Sequence, residues 1–153
     1  MQYHMDMKIT NKRASFDYEL LEHFEAGINL LGAEVKAIKL GHADLTGSHV
    51  RITGNELFLI NAKIFPYKYA RPETYDESRT RKLLMHRQEI TALRSKMEGS
   101  RLTIVPVSLY TTRHNLIKAE LALARGKKQF DKRKSIKKKD LERDTEVAMS
   151  VKN

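Results

Sequence analysis

The chain has no cysteine. A disulfide framework, a thiolate metal site and a thiol nucleophile are therefore excluded. It lacks any apolar run long enough to cross a bilayer as a helix, and its first ten residues, MQYHMDMKIT, contain no signal-peptide core. Glycine is scarce, and none of the seven sits in a phosphate-binding loop. Gly27 and Gly32 have the spacing of one, but Ala33-Glu34 follows where Lys-Ser or Lys-Thr would be required. The six histidines form no HExxH pair and no compact ligand cluster, and no serine lies in GxSxG. The acidic side chains are scattered among bases without a pair at catalytic spacing. These absences point away from an enzyme, a cofactor and a metal, although a nuclease whose carboxylates converge only in space would leave no such trace.

What the chain has in quantity is positive charge, +10 overall. Ten Lys or Arg against four Asp or Glu place +6 of that in RGKKQFDKRKSIKKKDLERD, Arg125 to Asp144. Such a balance suits a polyanionic partner, nucleic acid ahead of an anionic membrane surface. Membrane binding ranks last, because the tail's apolar residues do not gather on one broad face. Residues 127–153 hold fifteen charged side chains and neither Gly nor Pro. Burial cannot offset the ordering entropy of such a segment, yet Lys, Arg, Glu and Leu are good helix formers. The tail is expected to be disordered when free and helical when docked, reaching roughly 40 Å at 1.5 Å per residue.

Nearly all the apolar material lies in residues 1–124, enough for one small core. Phe16, Tyr18 and Leu20 alternate with Asp17 and Glu19, the period of a half-buried strand. In LLGAEVKAIKLG, Leu31, Val35 and Ile38 repeat at helical spacing and Gly41 is a natural stop. HVRITGNELFLINAKIF reads as two strands around a Gly54-Asn55 turn, and Pro66 to Ser78 as a loop. From Thr80, the spacing of Leu83, His86, Ile90, Leu93 and Met97 predicts a helix ending near Gly99, with His86 in the core. RLTIVPVSLY and LIKAELALA follow as strands, the second on the alternation of Ile117, Ala119, Leu121 and Leu123. The expected fold is mainly β with minor α: a small OB-fold-like β-barrel with two or three helices.

RNA binding is the function these residues suggest. RTRKLLMHRQE gathers Arg79, Arg81, Lys82 and Arg87 around the first turns of the expected helix, with Leu84 off its apolar face and exposed. The bland alternative is a solvated helix with an incidental leucine. YKYARPETY interleaves Tyr67, Tyr69 and Tyr75 with Lys68 and Arg71, a pattern compatible with base stacking and also with an ordinary surface loop.

Four segments, NKRA at 11–14, FEAGINLLGAEVKAIKLG at 24–41, RTRKLLMHRQEI at 79–90 and ARGKKQFDKR at 124–133, occur in an order and spacing that closely resemble SmpB, the SsrA-binding protein family of bacteria. The likeness runs over about residues 11–145. It implies a cytoplasmic, non-enzymatic, monomeric adaptor that binds the tRNA-like domain of tmRNA and delivers it to stalled ribosomes for trans-translation. Residues 1–10 would be an N-terminal extension, 11–126 the barrel, and 127–153 a tail that becomes helical in the vacant mRNA channel near the decoding centre. Partners implied are tmRNA, small-subunit ribosomal RNA and, indirectly through tmRNA, elongation factor Tu and alanyl-tRNA synthetase.

By resemblance, Asn11, Glu25, Leu84 and Lys118 match residues associated with tmRNA binding, and Lys12, Arg13, Arg79, Arg81 and Lys82 join them as basic or polar neighbours. For Glu25 the physical reading is a carboxylate that accepts from base amines or a ribose 2′-OH, or that orients a neighbouring cation. The alternative is a structural ion pair or a helix cap. Gly126 matches the hinge at the barrel exit, and Lys127, Lys128, Asp131, Lys132 and Arg133 match a GKKxxDKR signature. Phe130 stands where many members have His or Tyr, which preserves stacking but not a side-chain hydrogen bond. Ile136 is included among the tail residues at the ribosome. Ala33 and Ala37 replace polar residues often seen around the EVK core. The competing reading is a ribosome-associated structural RNA-binding protein with a basic extension.

Overall fold

The computed structural model describes residues 7–127 and, beyond them, Arg133, Ile136 and Lys137, three exposed residues in helical conformation. The described residues form nine strands: β1 (Lys8–Thr10), β2 (Tyr18–Ile28), β3 (Ala43–Asp44), β4 (His49–Thr53), β5 (Glu56–Ile60), β6 (Lys63–Ile64), β7 (Arg81–Leu84), β8 (Leu102–Thr111) and β9 (Ile117–Gly126). Three α-helices accompany them, α1 (Ala14–Asp17), α2 (Gly32–Lys39) and α3 (Arg87–Met97), with a single 3-10 turn at Lys68–Ala70.

Seven strands make one antiparallel sheet in the order β1-β8-β4-β5-β7-β2-β9, and β8 also pairs with β9. That extra pairing closes the circuit β8-β4-β5-β7-β2-β9, so the sheet becomes a mainly β, OB-like barrel, with β1 added outside the circuit as an edge strand on β8. A two-stranded ribbon of β3 and β6 stands apart. The interior is filled by inward side chains such as Leu57, Leu59, Leu83, Ile104, Leu109 and Leu121, all essentially inaccessible. α2 contributes Ile38 and α3 contributes Ile90 and Leu93 to the same core.

The Gly54-Asn55 hairpin forms between β4 and β5 as expected, with Gly54 at φ +63°. A left-handed backbone there costs a glycine nothing and a side chain about 1 kcal/mol. β8 and β9 also form where alternation put them, and Ile117, Ala119, Leu121 and Leu123 all point inward. Ala122 and Ala124, on the opposite face of β9, are buried too, in a small second cluster with Val105 and Ala14 of α1.

Several expectations are corrected. Residues 14–17 form one helical turn, and strand begins only at Tyr18. The helix expected from Thr80 starts at Arg87, because Arg81–Leu84 is drawn into the barrel as β7, pairing with both β5 and β2. This pairing fills the gap between β5 and β2, a gain that local periodicity cannot register. His86 is accordingly not in the core but is the exposed residue before the first turn of α3. Lys8–Thr10, placed by sequence in an N-terminal extension, adds to β8 as β1.

Candidate nucleic-acid interface

The closed sheet aligns outward side chains from distant parts of the chain. Register sets Leu84 of β7 beside Gly27 of β2, Gly27 beside Lys118 of β9, Lys118 beside Tyr110 of β8, and Tyr110 beside Lys8 of β1. Two residues along β2, Glu25 lies opposite Glu120, Glu120 opposite Ser108, and Ser108 opposite Thr10. These are the outward positions because Ala26, between Glu25 and Gly27, is in the core.

Glu25 joins the two rows. Its Oε1 accepts a hydrogen bond from Lys118 Nζ at 2.7 Å, and its Oε2 accepts one from the Tyr110 hydroxyl. Lys118, then Tyr110, hold the Glu25 carboxyl below the usual carboxylate range. Burial and then Glu25 push the Tyr110 hydroxyl far above its ordinary range, so it stays a donor. The carboxylate and ammonium remain 53% and 35% exposed, open enough for an incoming group to reach both. On one side of Glu25 a groove of about 540 Å³ is lined by Gly27, Leu84, Met85, His86, Glu89 and Lys118. On the other, one of about 590 Å³ is lined by Met7, His23, Phe24, Tyr110 and Arg113.

Leu84 is 48% exposed, an apolar side chain standing in a polar groove. Gly27 makes room for it: a Cβ there would sit 3.3 Å from Leu84 Cβ. The groove thus presents an acceptor, a cation and a small apolar surface side by side. That combination can meet a ribose hydroxyl, a phosphate and a sugar or base face.

The remaining predicted barrel residues divide. Asn11 is buried and works on β8, its Nδ2 donating to Pro106 O at 2.9 Å and its backbone N–H to Val107 O at 2.8 Å. It thereby holds the irregularity in β8 between Pro106 and Ser108. Lys12 and Arg13 are exposed just beyond it, Arg13 lying over the Phe16 ring at 4.7 Å. Thr10 shares a row with Glu25 three strands away, about 14 Å at ordinary strand spacing, so Lys12 and Arg13 flank the far edge of the same face.

Arg79 and Arg81 belong elsewhere. Arg81 is fully buried, with Nε and Nη2 donating to Glu34 Oε2 at 2.8 and 2.6 Å and Nη1 donating to Ala62 O. Arg79 Nη2 donates to Glu34 Oε1 at 2.5 Å. The expectation that Arg81 faces RNA is corrected: its guanidinium neutralises a buried carboxylate. Lys82 is on the outer face of β7, 3.2 Å from Glu56.

A family model described as "SmpB protein" matches residues 8–151 of the chain. The chain belongs to the SmpB family. It is 45% identical to the SsrA-binding protein of Chlorobium chlorochromatii over 88% of this chain and 86% of that one. It is 44% identical to the SsrA-binding protein of Malacoplasma penetrans, over 96% and 100% of the two chains. A solved structure described as "tmRNA-SmpB: a journey to the center of the bacterial ribosome" superposes with a TM-score of 0.67 at 44% identity, covering 80% of this chain and 86% of that chain.

At the barrel exit, Gly126 ends β9 opposite Tyr18. Lys127 is tied to α1, its N–H donating to Asp17 O at 2.9 Å and its Nζ to Ser15 O at 2.8 Å. Lys128, Phe130, Asp131 and Lys132 lie outside the described residues, as does most of the tail whose folding the sequence addressed. Sequence reasoning passed over Glu34 and Tyr110. Glu34 had left a signal, since it lies between Leu31 and Ile38 on the face that the helical spacing marks as buried. Tyr110 left none, because its partner Glu25 is 85 residues away in sequence.

Proposed function

We infer that this chain is an RNA-binding adaptor of trans-translation, gripping the tRNA-like domain of tmRNA with the barrel face around Glu25 and bringing it to stalled ribosomes. The observation that carries this reading is the convergence of Glu25, Leu84 and Lys118 in one groove. These are three of the four residues that the family resemblance associates with tmRNA, and they come from three strands. The fourth, Asn11, acts through β8 rather than by an exposed amide.

In this reading residues 11–126, with β1, form the RNA-binding body, and 127–153 a tail that enters the vacant mRNA channel near the decoding centre as a helix. The ribosomal contacts are with small-subunit RNA. Elongation factor Tu and alanyl-tRNA synthetase are reached only through tmRNA. The chain acts as a monomer in the cytoplasm and catalyses nothing. Among the described residues no helix is long and apolar enough to cross a bilayer.

The test is to purify the protein from a bacterial lysate and sequence the RNA that accompanies it. Enrichment of tmRNA over ribosomal RNA and tRNA is expected. Stoichiometric recovery of ribosomal RNA, with tmRNA at background, would favour a structural ribosomal protein and overturn the reading.

A further inference from the structure

The loop from Phe65 to Arg71 has features that the Glu25 face does not use. Tyr67 and Tyr69 are 68% and 80% exposed, and Phe65 is 38% exposed. The two tyrosine rings lie 5.3 Å apart and tilted by 59°, so they do not shield each other face to face. Lys68 Nζ lies 6.0 Å from the Tyr69 ring centre on one side. Of the two cations in residues 65–72, FPYKYARP, Lys68 is exposed between the tyrosines and Arg71 is paired with Glu77.

The loop is also held in shape from below. Pro66 is buried, and Tyr67 to Ala70 is closed by the Ala70 N–H bond to Tyr67 O at 2.9 Å. Arg71 bonds Glu77 at 3.1 Å. Tyr75 places its hydroxyl 3.0 Å from Glu34 and 3.1 Å from Arg81 Nη2, which anchors the far end of the loop to the buried ion pair. A rigid base that displays solvent-facing rings beside the Lys68 ammonium reduces the ordering cost of binding.

We propose that Tyr67 and Tyr69, with Lys68 between them, form a second RNA-binding surface that stacks on unpaired bases, separate from the groove beside Glu25. None of these three residues lines either groove at Glu25. Stacking suits every base because each has a π-face, and the Lys68 ammonium answers a phosphate. The inference rests on reading the chain as an RNA-binding protein, though not on which groove holds tmRNA. Unpaired bases occur in both tmRNA and ribosomal RNA, so the experiment separates the two sources.

Three proteins are compared: the wild type, the double variant Tyr67→Ala/Tyr69→Ala, and the double variant Tyr67→Phe/Tyr69→Phe. Each is titrated against purified tmRNA and, separately, against ribosomes stalled on a message lacking a stop codon, with thermal melts confirming that all three are folded. The alanine variant is expected to bind at least one of the two about tenfold more weakly, and the phenylalanine variant to stay within about twofold of wild type. Loss in only one titration identifies the RNA. Wild-type binding of the alanine variant in both titrations overturns the proposal. So does equal loss in both variants, which would mean that the hydroxyls rather than the rings matter. A Glu25→Ala variant run alongside reports on the groove alone, so the two readings fail separately.

Discussion

Replacing Glu34 by Gln removes one charge and little volume, and the surrounding hydrogen bonds determine the cost. Glu34 is fully buried, and its two oxygens accept from the Leu31 N–H, Arg79, both nitrogens of the Arg81 fork and the Tyr75 hydroxyl. A glutamine amide has only one oxygen, so its NH₂ group must face either Arg81 or the pair formed by Leu31 and Arg79, donor against donor. Arg81 cannot give up its proton and has no water to turn to, since it too is fully buried. Breaking one half of such a pair costs about 3–5 kcal/mol. For a folded unit of this size that corresponds to a fall in Tm of roughly 10–20 °C. Arg79 is partly exposed and contributes less, because solvent replaces its partner.

The assay is thermal unfolding by circular dichroism at pH 7 and again at low pH. Burial pushes the Glu34 carboxyl up, but the Leu31 amide, Arg79 and Arg81 outweigh it and hold the group below the usual range. The unfolded chain, with a carboxylate near pKa 4.3, therefore binds the proton more readily than the folded one. The pair's contribution is complete above that value and is lost as pH falls through the folded pKa. Wild type and Glu34→Gln should differ widely at pH 7 and converge at low pH. A Tm difference below about 2 °C at pH 7 would refute the reasoning. Exchanging both partners for apolar residues should recover only part of the loss, because Arg81 also satisfies the carbonyls of Ala62, Glu77 and Arg79.

Other consequences are equally direct. Gly27→Ala brings a methyl to 3.3 Å from Leu84 Cβ and should turn Leu84 out of its present position, weakening tmRNA binding several-fold while moving Tm by only a few degrees; filter binding and a melt check both. Glu25→Gln should change stability by less than about 1 kcal/mol, since its pair with Lys118 is exposed, yet reduce tmRNA affinity about tenfold in the same assay. Ending the chain before Asp131 should leave tmRNA affinity unchanged and abolish peptide tagging in a reconstituted translation system. Tagging at the wild-type rate would remove the tail from the mechanism.

Much of the architecture is readable where local and global preferences agree. The β4–β5 hairpin has its turn chemistry at Gly54-Asn55, and β9 has strict alternation over Ile117 to Leu123. β7 reads as helix because Leu83 falls in register with Ile90, Leu93 and Met97 at helical spacing, although its pairing lies with β5 and β2. Strand membership there is decided by partners more than twenty residues away, which no periodicity reports. The same applies to the site. Glu25, Leu84 and Lys118 are available one by one through the family resemblance, but their meeting depends on strand register. Arg79 and Arg81 look like RNA ligands because a cation in a basic run carries no mark of the buried Glu34 that claims it.

The absence of cysteine makes the central claim testable by site-specific chemistry, because a single introduced thiol is the only one in the protein. A photo-crosslinker attached through Leu84→Cys, in the groove beside Glu25, should couple on irradiation to the tRNA-like domain of tmRNA. The same reagent on Glu98→Cys, exposed at the end of α3 and away from both the groove and the tyrosine loop, should not. Crosslinking from position 98 with none from position 84 would place the RNA on another face and contradict the account.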